Sequence, residues 1–477
     1  MTLAPPSSEV GSLLTELEAE LSRWNVPGAQ VAVVRDGEVL FAGGVGVRDA
    51  CTGARVTEAT LFDHGSCGKA YTGLLAALLD EEGVLDLDAP VRRYVPELEL
   101  PDPVLAARMA TRDLLSHRSG LARHDLTWIF NPSWTTVELV GRLKHLPVGN
   151  DLRAAMAYSN LGYALAGFAI ERATGSTWHE QVRSRVLEPV GMHHTTTHPD
   201  AFLAGADHAV PHALRDGRIV STPYRSTESI VAAGQVMPSG MDAAQWLLLH
   251  TGGAAVSTAA VQATHRVHIT MSPELSPHPL LELVGYGLGW VILRYRDQPM
   301  IMHSGGVDGF RTDIVILPRQ RLGVLVSGNV FPSTLPFAAA LQTADRLLGH
   351  TDPSWYDEFR AEAVEPPQDV SGEETVRAGG PPTHPLSEYV GRYGDLGYGE
   401  LHVTADGGEL QVRIGDRDLT TTHRHFDTWD VRYEALELDL TVTFVVDAEG
   451  LVSEAVVPLE QDLPTRFRRV PPGGQSP

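Results

Sequence analysis

Strand-like runs at both ends of a long helical stretch constrain the fold of this chain more than any other feature. Near the amino terminus, Ala29 to Val34 and Val39 to Val45 are apolar and partly β-branched, and Asp36-Gly37 between them is typical of a hairpin turn. Strand character returns much later, at Gly285 to Arg294, Thr312 to Leu317 and Leu322 to Ser327. We therefore predict an antiparallel sheet, built from both ends of this region, that encloses a helical insertion.

Helical periodicity accounts for most of the remaining residues of this region. A helix is predicted to begin at Ser66 and to run to Asp80, where Gly83 ends it. The other predicted helices are Ser8 to Trp24, Thr111 to Ser116, Asn160 to Ala173, Trp178 to Val190 and Pro336 to Leu348. The predicted fold class is α/β, with an antiparallel sheet flanked by helices and a helical subdomain.

The composition changes after the last of these helices. Residues 365–385 are rich in Pro, Gly and Glu, which is typical of a linker. Short strand-like runs separated by Gly-rich turns follow at Glu400 to Val403, Leu410 to Ile414 and Leu438 to Val446. This pattern predicts a small all-β barrel. We expect a large catalytic domain over residues 1–360, the linker over 365–385 and the β domain over 386–471.

The acidic balance of the chain limits its partners. With 37 Lys and Arg against 60 Asp and Glu, the formal net charge is -23, which repels phosphate backbones and anionic lipid surfaces. Nucleic acid and membrane partners are therefore not expected, and no apolar run reaches the ~18 residues of a membrane span. A small molecule or a peptide is the expected substrate. Met1 to Val10 has no basic, apolar leader pattern, so the expected location is cytoplasmic.

Metal and cofactor chemistry is not expected from this sequence. Its two cysteines, Cys51 and Cys67, are too few for a disulfide framework or a zinc cage. Pairs of histidines, such as His193-His194, lack an acidic or cysteine ligand at a recognised spacing. Cys67 is a second candidate nucleophile, but small buried cysteines are common and no Cys-His signature accompanies it.

Lysine is almost absent from this chain. Of the 37 basic residues, only Lys69 and Lys144 are lysines. An arginine keeps its charge under all ordinary conditions, whereas a lysine that is removed from water can lose its proton and act as a base. The retention of Lys69 therefore indicates a chemical role.

Lys69 lies three residues after Ser66 in the segment Asp63-His64-Gly65-Ser66-Cys67-Gly68-Lys69. Residues three apart on a helix share a face, with about 5–6 Å between their Cβ atoms, so the amine can activate the hydroxyl. The first helical turn also offers free N–H groups to a developing oxyanion. Ser-x-x-Lys alone is a weak motif, and the scarcity of lysine raises its value.

Two later segments supply further candidates. Tyr158-Ser159-Asn160 opens a helix, so Tyr158 can relay a proton once neighbouring cations lower its pKa, and Asn160 can bind a substrate amide. An ordinary capped helix start is the alternative. His303-Ser304-Gly305-Gly306 follows a strand-like run; His303 is a further candidate catalytic residue, and the Gly306 N–H can serve as an oxyanion donor. A Gly-rich turn is the alternative there.

These three segments, in this order, resemble the β-lactamase and penicillin-binding-protein superfamily in its class C-like serine hydrolase branch, over Trp24 to about Leu348. Asp113-Leu114-Leu115-Ser116-His117-Arg118-Ser119-Gly120-Leu121 and Tyr286-Gly287-Leu288-Gly289-Trp290 support the resemblance. It implies that Ser66 attacks a carbonyl, that Lys69 and Tyr158 move the proton, and that the N–H groups of Ser66 and Gly306 bind the oxyanion.

One position departs from the antibiotic-hydrolysing members, in which Lys-Thr-Gly replaces the segment that begins here with His303. A neutral imidazole binds a substrate carboxylate less firmly than a permanent cation does. This departure is similar to the esterase, D-aminopeptidase and peptide-cyclase branches. The predicted β domain resembles the lipocalin-like module of some D-amino-acid-specific peptidases and of penicillin-binding-protein-type thioesterases. The resemblance implies that a basic residue of this module, Arg466 or Arg468, can approach the active site and bind a peptide carboxylate. A solvated, Arg-rich end of the chain is the alternative.

The resemblance favours a peptide-cyclising thioesterase that releases a nonribosomal peptide from a carrier protein. A D-stereospecific aminopeptidase, amidase or esterase is the alternative, because the acceptor of the acyl group is not visible in the sequence. A non-catalytic ligand sensor on the same fold is an alternative from a different class, and retention of Ser66, Lys69 and Tyr158 argues against it.

Overall fold

A computed structural model describes residues 6–364, 379–460, 463–471 and 473 of the protein. Its larger part contains ten strands: β1 (Gly28–Arg35), β2 (Glu38–Gly46), β3 (His212–Arg215), β4 (Arg218–Ser221), β5 (Ile269–Thr270), β6 (Leu281–Tyr286), β7 (Val291–Tyr295), β8 (Gln298–Val307), β9 (Phe310–Leu317) and β10 (Leu322–Gly328). Eight of them form one antiparallel sheet in the order β2-β1-β10-β9-β8-β7-β6-β5, and β3 pairs with β4 as a separate hairpin.

Helices precede, interrupt and follow this sheet. They are α1 (Ser8–Arg23), α2 (Lys69–Glu81), α3 (Pro103–Arg108), α4 (Thr111–Leu115), α5 (Leu126–Phe130), α6 (Thr136–Arg142), α7 (Asn160–Thr174), α8 (Trp178–Val182), α9 (Glu188–Val190), α10 (Pro199–Ala204), α11 (Gly240–His250), α12 (Thr258–Thr264), α13 (Leu335–Leu348) and α14 (Trp355–Val364). A five-residue π-helical segment, Arg183–Leu187, joins α8 to α9. Among the described residues, every helix is too short or too polar to cross a lipid bilayer.

Pairing between β1 and β10 joins the amino-terminal hairpin to the later strands of the sheet. β1 pairs with β2 on one side and with β10 on the other, with Ala29 opposite Gly328 and Arg35 opposite Leu322. Successive residues of β1 alternate between the two faces: Val31 and Val33 pack in the core under α1 and α13, whereas Ala32 packs in the core around α2 and α11. The predicted α/β fold with an antiparallel sheet is confirmed.

One predicted strand is wrong, because the structure has two strands and a turn in its place. Gly285 to Arg294 reads as continuous, but β6 ends at Tyr286 and β7 begins at Val291. Gly289, in the intervening turn, has φ +85°, and a Cβ atom there would lie 2.5 Å from the Lys69 carbonyl oxygen. The residues of the turn are apolar because they pack against α2. In the sequence they therefore look like part of one continuous strand.

The carboxy-terminal part is a closed barrel, as predicted. After the short helix α15 (Leu386–Tyr389), its strands are β11 (Gly391–Asp395), β12 (Gly399–Asp406), β13 (Glu409–Ile414), β14 (Arg417–His425), β15 (Thr428–Tyr433), β16 (Leu438–Val446), β17 (Val452–Glu460) and β18 (Leu463–Arg469). β11 pairs with β18 and thereby closes the ring. Residues 365–378 of the predicted linker lie outside the described residues, so the exact domain limits remain a prediction.

A buried carboxylate holds the loop that follows α4. Asp113 accepts hydrogen bonds from Arg118 Nε at 2.7 Å, from Arg153 Nε and Nη2 at 2.9 Å each, and from the Ala110 N–H at 3.0 Å. The pKa of Asp113 lies below its usual range. Burial alone would raise it, but the hydrogen bonds and the arginine charges have the larger effect. The carboxylate is therefore charged at neutral pH.

We expect Asp113→Asn to lower the free energy of unfolding by about 2–3 kcal/mol, because it removes the negative partner of two arginines at a buried position. Asp418→Asn is the matched control: Asp418 pairs with Arg413 but its side chain is 82% exposed, so its loss should change the free energy by less than about 0.5 kcal/mol. Urea unfolding of the full chain, followed by tryptophan fluorescence, measures both. Equal effects of the two substitutions would contradict this expectation.

Candidate active site

Ser66 lies in a tight turn at the start of α2. The turn is a 3-10 helix over Gly65–Gly68, and α2 begins at Lys69, so the predicted helix start at Ser66 is displaced by this turn. Strand β8 packs directly on the turn, where a Cβ atom on Gly305 would lie 1.9 Å from the His64 carbonyl oxygen. Glycine at position 305 therefore permits the contact that places β8 beside Ser66.

The amine of Lys69 is surrounded by three oxygen atoms. Lys69 is fully buried, and its Nζ lies 2.6 Å from the Ala233 carbonyl oxygen, 2.7 Å from Asn160 Oδ1 and 3.1 Å from Ser66 Oγ. Loss of solvation lowers the pKa of Lys69 to about 7, against an opposing effect of the Asp125 charge. In the neutral amine, two N–H groups serve the Ala233 and Asn160 oxygens, and the lone pair faces the Ser66 hydroxyl.

Tyr158 lies on the other side of the Ser66 hydroxyl. Lys69 Nζ is 4.8 Å and the Arg123 Cζ atom 5.2 Å from the centre of its ring. The sequence suggested that such cations lower the pKa of this phenol. In the structure, burial raises the pKa of Tyr158, and its hydrogen bond with Ser66 and the charge of Arg123 only reduce that shift. Tyr158 is therefore a protonated donor in the free protein, and Lys69 is the group with the lower pKa.

A second layer of polar residues holds Lys69 and was missed by the sequence analysis. Asn160 accepts from Lys69 and donates through Nδ2 to Asp125 Oδ1 at 2.9 Å. Asp125 also accepts from Trp128 Nε1 at 3.0 Å and from Arg123 Nε through its second oxygen. Asn160, predicted to bind a substrate amide, thus has its amide engaged by Lys69 and Asp125. Arg123 and Asp125 form no motif with Ser66, so only the fold brings them together.

The barrel holds the loop that carries Arg123 and Asp125. His124, between them, has φ +44° and is almost fully buried. Its Nε2 lies 2.8 Å from the Pro147 carbonyl oxygen and must carry the hydrogen, so its Nδ1 accepts from the Tyr398 hydroxyl at 2.7 Å. Its backbone N–H donates to Glu460. Two barrel residues therefore fix the conformation of a loop that contacts Asn160.

His303 lies on β8 with both ring nitrogens engaged. Its Nδ1–H donates to the Ser304 carbonyl oxygen at 2.7 Å, and its Nε2 accepts from the Tyr286 hydroxyl at 2.9 Å. Burial, with a contribution from the charge of Lys69, lowers the pKa of His303 to about 3. The imidazole is therefore neutral, and its catalytic role remains a prediction.

The structure does not bring Arg466 or Arg468 to Ser66. Residues of β18 alternate between the inside and the outside of the barrel, and both arginines are on the outside, with side chains 61% and 85% exposed. Both lie near Glu454 on β17, with Arg466 Nη1 at 2.8 Å from Glu454 Oε2. The barrel instead approaches the site through the turn between β15 and β16.

A cavity of about 210 Å³ opens above Ser66. Gly306 and Asn160 line it, and their predicted roles in substrate and oxyanion binding stay predictions. The sequence analysis did not find several other lining residues, among them Arg225, Asp308, Phe331 and Leu436 of the barrel. They come from separate loops without a recognisable spacing, so only tertiary contacts reveal them.

The chain is similar to known proteins over both of its parts. A family model described as Beta-lactamase matches residues 14–348, and one described as a domain of unknown function (DUF3471) matches residues 375–469. "Unguisins hydrolase ungD" of Aspergillus violaceofuscus is 28% identical over 86% of this chain and 80% of that protein.

Solved structures share the complete architecture. The octameric penicillin-binding protein homologue from Pyrococcus abyssi superposes with a TM-score of 0.65 at 22% identity, over 96% of this chain and 100% of that one. The structure of SurE gives a TM-score of 0.57 at 24% identity, over 97% of this chain and 99% of that one. These likenesses agree with the two-part fold described above.

The pKa of Lys69 predicts the pH dependence of reaction at Ser66. Only the neutral amine accepts the Ser66 proton, so the rate of fluorophosphonate labelling should rise with pH through about 7 and then level off. Asp125→Asn removes a charge that raises the pKa of Lys69, and we expect it to move the midpoint to lower pH. Asp151→Asn, at an exposed position, is the control and should leave the midpoint unchanged. A pH-independent rate would show that Lys69 is not the base.

Proposed function

Because this chain belongs to the Beta-lactamase family, we propose that it is a serine acyl-enzyme hydrolase or transferase that acts on peptidyl thioesters and closes the released peptide into a ring. Its nucleophile is Ser66, its general base is Lys69 and its proton donor is Tyr158. The peptidyl substrate reaches it on a carrier protein or as a small peptide.

One observation carries the proposal: the Nζ atom of the buried Lys69, whose pKa burial lowers to about 7, lies 3.1 Å from Ser66 Oγ. A serine hydroxyl is a weak nucleophile until an adjacent base removes its proton. A lysine in water is almost fully protonated at neutral pH and cannot do this, whereas about half of the Lys69 side chains are neutral near pH 7.

The first half-reaction transfers the acyl group to the protein. Ser66 Oγ attacks the thioester carbonyl while its proton moves to Lys69, and the negative oxygen binds the N–H groups of Ser66 and Gly306. When the carbon–sulfur bond breaks, the thiolate takes a proton from the Tyr158 hydroxyl. Tyr158 is restored by the proton on Lys69, which leaves a neutral amine and a Ser66 ester.

The second half-reaction decides the product. In the cyclising reaction, the amino terminus of the bound peptide attacks the ester, loses a proton to Lys69 and forms an amide as Ser66 Oγ is protonated again. The resemblance to penicillin-binding-protein-type thioesterases supports this acceptor. The name of the Aspergillus violaceofuscus relative, a hydrolase, supports water as a second candidate acceptor. A D-stereospecific amidase or esterase would use the same steps with water.

The two lysines provide a matched test of the base. Lys69→Arg keeps a cation beside Ser66 that cannot lose its proton, and we expect turnover of a peptidyl thioester to fall by at least about a hundredfold. Lys144→Arg makes the same change at a half-exposed residue that pairs with Glu99, and its turnover should match the wild type. Equal turnover of the two variants would exclude Lys69 as the base.

Mass spectrometry of the products separates the two acceptors. A linear peptidyl thioester should give a cyclic product that is lighter than the linear acid by one water, because the amine replaces water as the acceptor. Ser66→Ala should give neither product. If only the linear acid forms, the protein is a hydrolase, and full activity of Ser66→Ala would contradict the whole mechanism.

A further inference from the structure

A second cavity of about 480 Å³ lies between the two parts of the protein. On one side are the β3–β4 hairpin and the loop after it, including Leu214 and Tyr224. On the other side are the barrel residues Arg417, Tyr433 and Ala435. The steps of the proposed function do not use this cavity.

The second cavity adjoins the Ser66 cavity. Four residues line both of them: Arg225, Asp308, Phe331 and Leu436. Strand β8 leads from one to the other, because Gly306 lines the first cavity and Asp308 and Gly309 line the second. A chain attached to Ser66 that extended past Asp308 would therefore reach the second cavity.

Arg225, on the shared wall, has unused hydrogen-bond donors. Its Nη2 donates to Asp308 Oδ1 at 2.7 Å, and its Cζ atom lies 5.1 Å from the centre of the Trp128 ring. Only 10% of the side chain is exposed, yet Nε and Nη1 have no partner. Buried donors without acceptors are costly, so a ligand oxygen that accepts from Arg225 would stabilise this wall.

The remaining chemistry of the cavity suits a peptide. Asp308 compensates the charge of Arg225, so the free donors of Arg225 match neutral carbonyl oxygens. Arg215 and Arg417 also line the cavity, and each donates a hydrogen bond to a backbone carbonyl oxygen. Leu214, Phe331, Pro332 and Leu436 supply apolar surface for side chains. The acyl group stays attached to Ser66 through both half-reactions, whereas the leaving group departs after the first, so an enclosed cavity suits the acyl group.

We propose that this cavity binds the acyl segment of the peptidyl substrate as an extended, largely apolar peptide whose carbonyl oxygens accept hydrogen bonds from Arg225. The inference rests on the proposed function for the identity of the substrate. The barrel, through Leu436 and its neighbours, is then a wall of the substrate site.

A ladder of peptidyl thioesters with apolar residues, from an aminoacyl to a tetrapeptidyl group, tests the inference. We expect kcat/KM to rise by about tenfold or more along the ladder, because each apolar side chain is buried in the second cavity. Lengthening the leaving group instead should have little effect. The inference would be overturned if kcat/KM did not change with the length of the acyl group, or if it rose with the length of the leaving group instead.

A pair of barrel variants tests the place of binding. Ala435→Trp puts a large side chain into the second cavity, so kcat/KM should no longer rise with the length of the acyl group. Ala448→Trp, at an exposed position in the turn between β16 and β17, is the matched control and should keep the gain. Arg225→Lys should raise KM for the tetrapeptidyl substrate more than for the aminoacyl one. A gain that persists in Ala435→Trp would contradict the proposed location.

Binding measurements separate this inference from the proposed function. Calorimetry measures the binding of the same series of peptides, as amides, to Ser66→Ala, which cannot react with them. Affinity should rise with peptide length in Ser66→Ala. It should not rise with length when Ala435→Trp is added to that variant. If fluorophosphonate does not label Ser66 in the wild type but affinity follows length, the proposed function fails and the cavity assignment stands. If labelling is normal and affinity is independent of length, the cavity assignment fails alone.

Discussion

Removal of one amine from water is the constraint on which the rest of this site depends. An ammonium group in bulk water would hold its proton, so Lys69 can act as the proposed base only because it is buried, with its amine beside the rings of Tyr158 and Tyr163. Enclosure alone would leave unpaired N–H groups, and the Ala233 and Asn160 oxygens satisfy them. The same two oxygens fix the direction of the lone pair of the neutral amine, so one arrangement sets both the proton affinity and the geometry of the proposed base.

Local patterns in the sequence predicted much of this arrangement. The strands that form the centre of the sheet follow hydrophobic pattern and turn residues, and the barrel strands follow the same signals. Lys69 stood out because the chain has almost no other lysine, and its three-residue spacing from Ser66 is a property of one helical turn. Each of these inferences needed only residues that are close in the sequence, or the number of lysines in the chain.

The features that the sequence did not reveal depend on contacts between distant segments. Asp125 and Arg225 lie on loops without a motif, and only the folded chain places them near Ser66. The pKa of Tyr158 depends on how far burial outweighs nearby cations, which composition does not show. Arg466 and Arg468 do not line the Ser66 cavity, and they lie instead beside a separate cavity near His124.

Because the barrel contacts His124, the geometry of the candidate active site depends on the barrel being folded. The hydroxyl of Tyr398 and the carboxylate of Glu460 hold a loop in a left-handed conformation that costs free energy and persists only while its partners are in place. That loop orients Asn160 and, through it, the base. Heating that melts the barrel first would therefore abolish catalysis in molecules whose larger part is still folded, and the less stable part sets the temperature range of the enzyme.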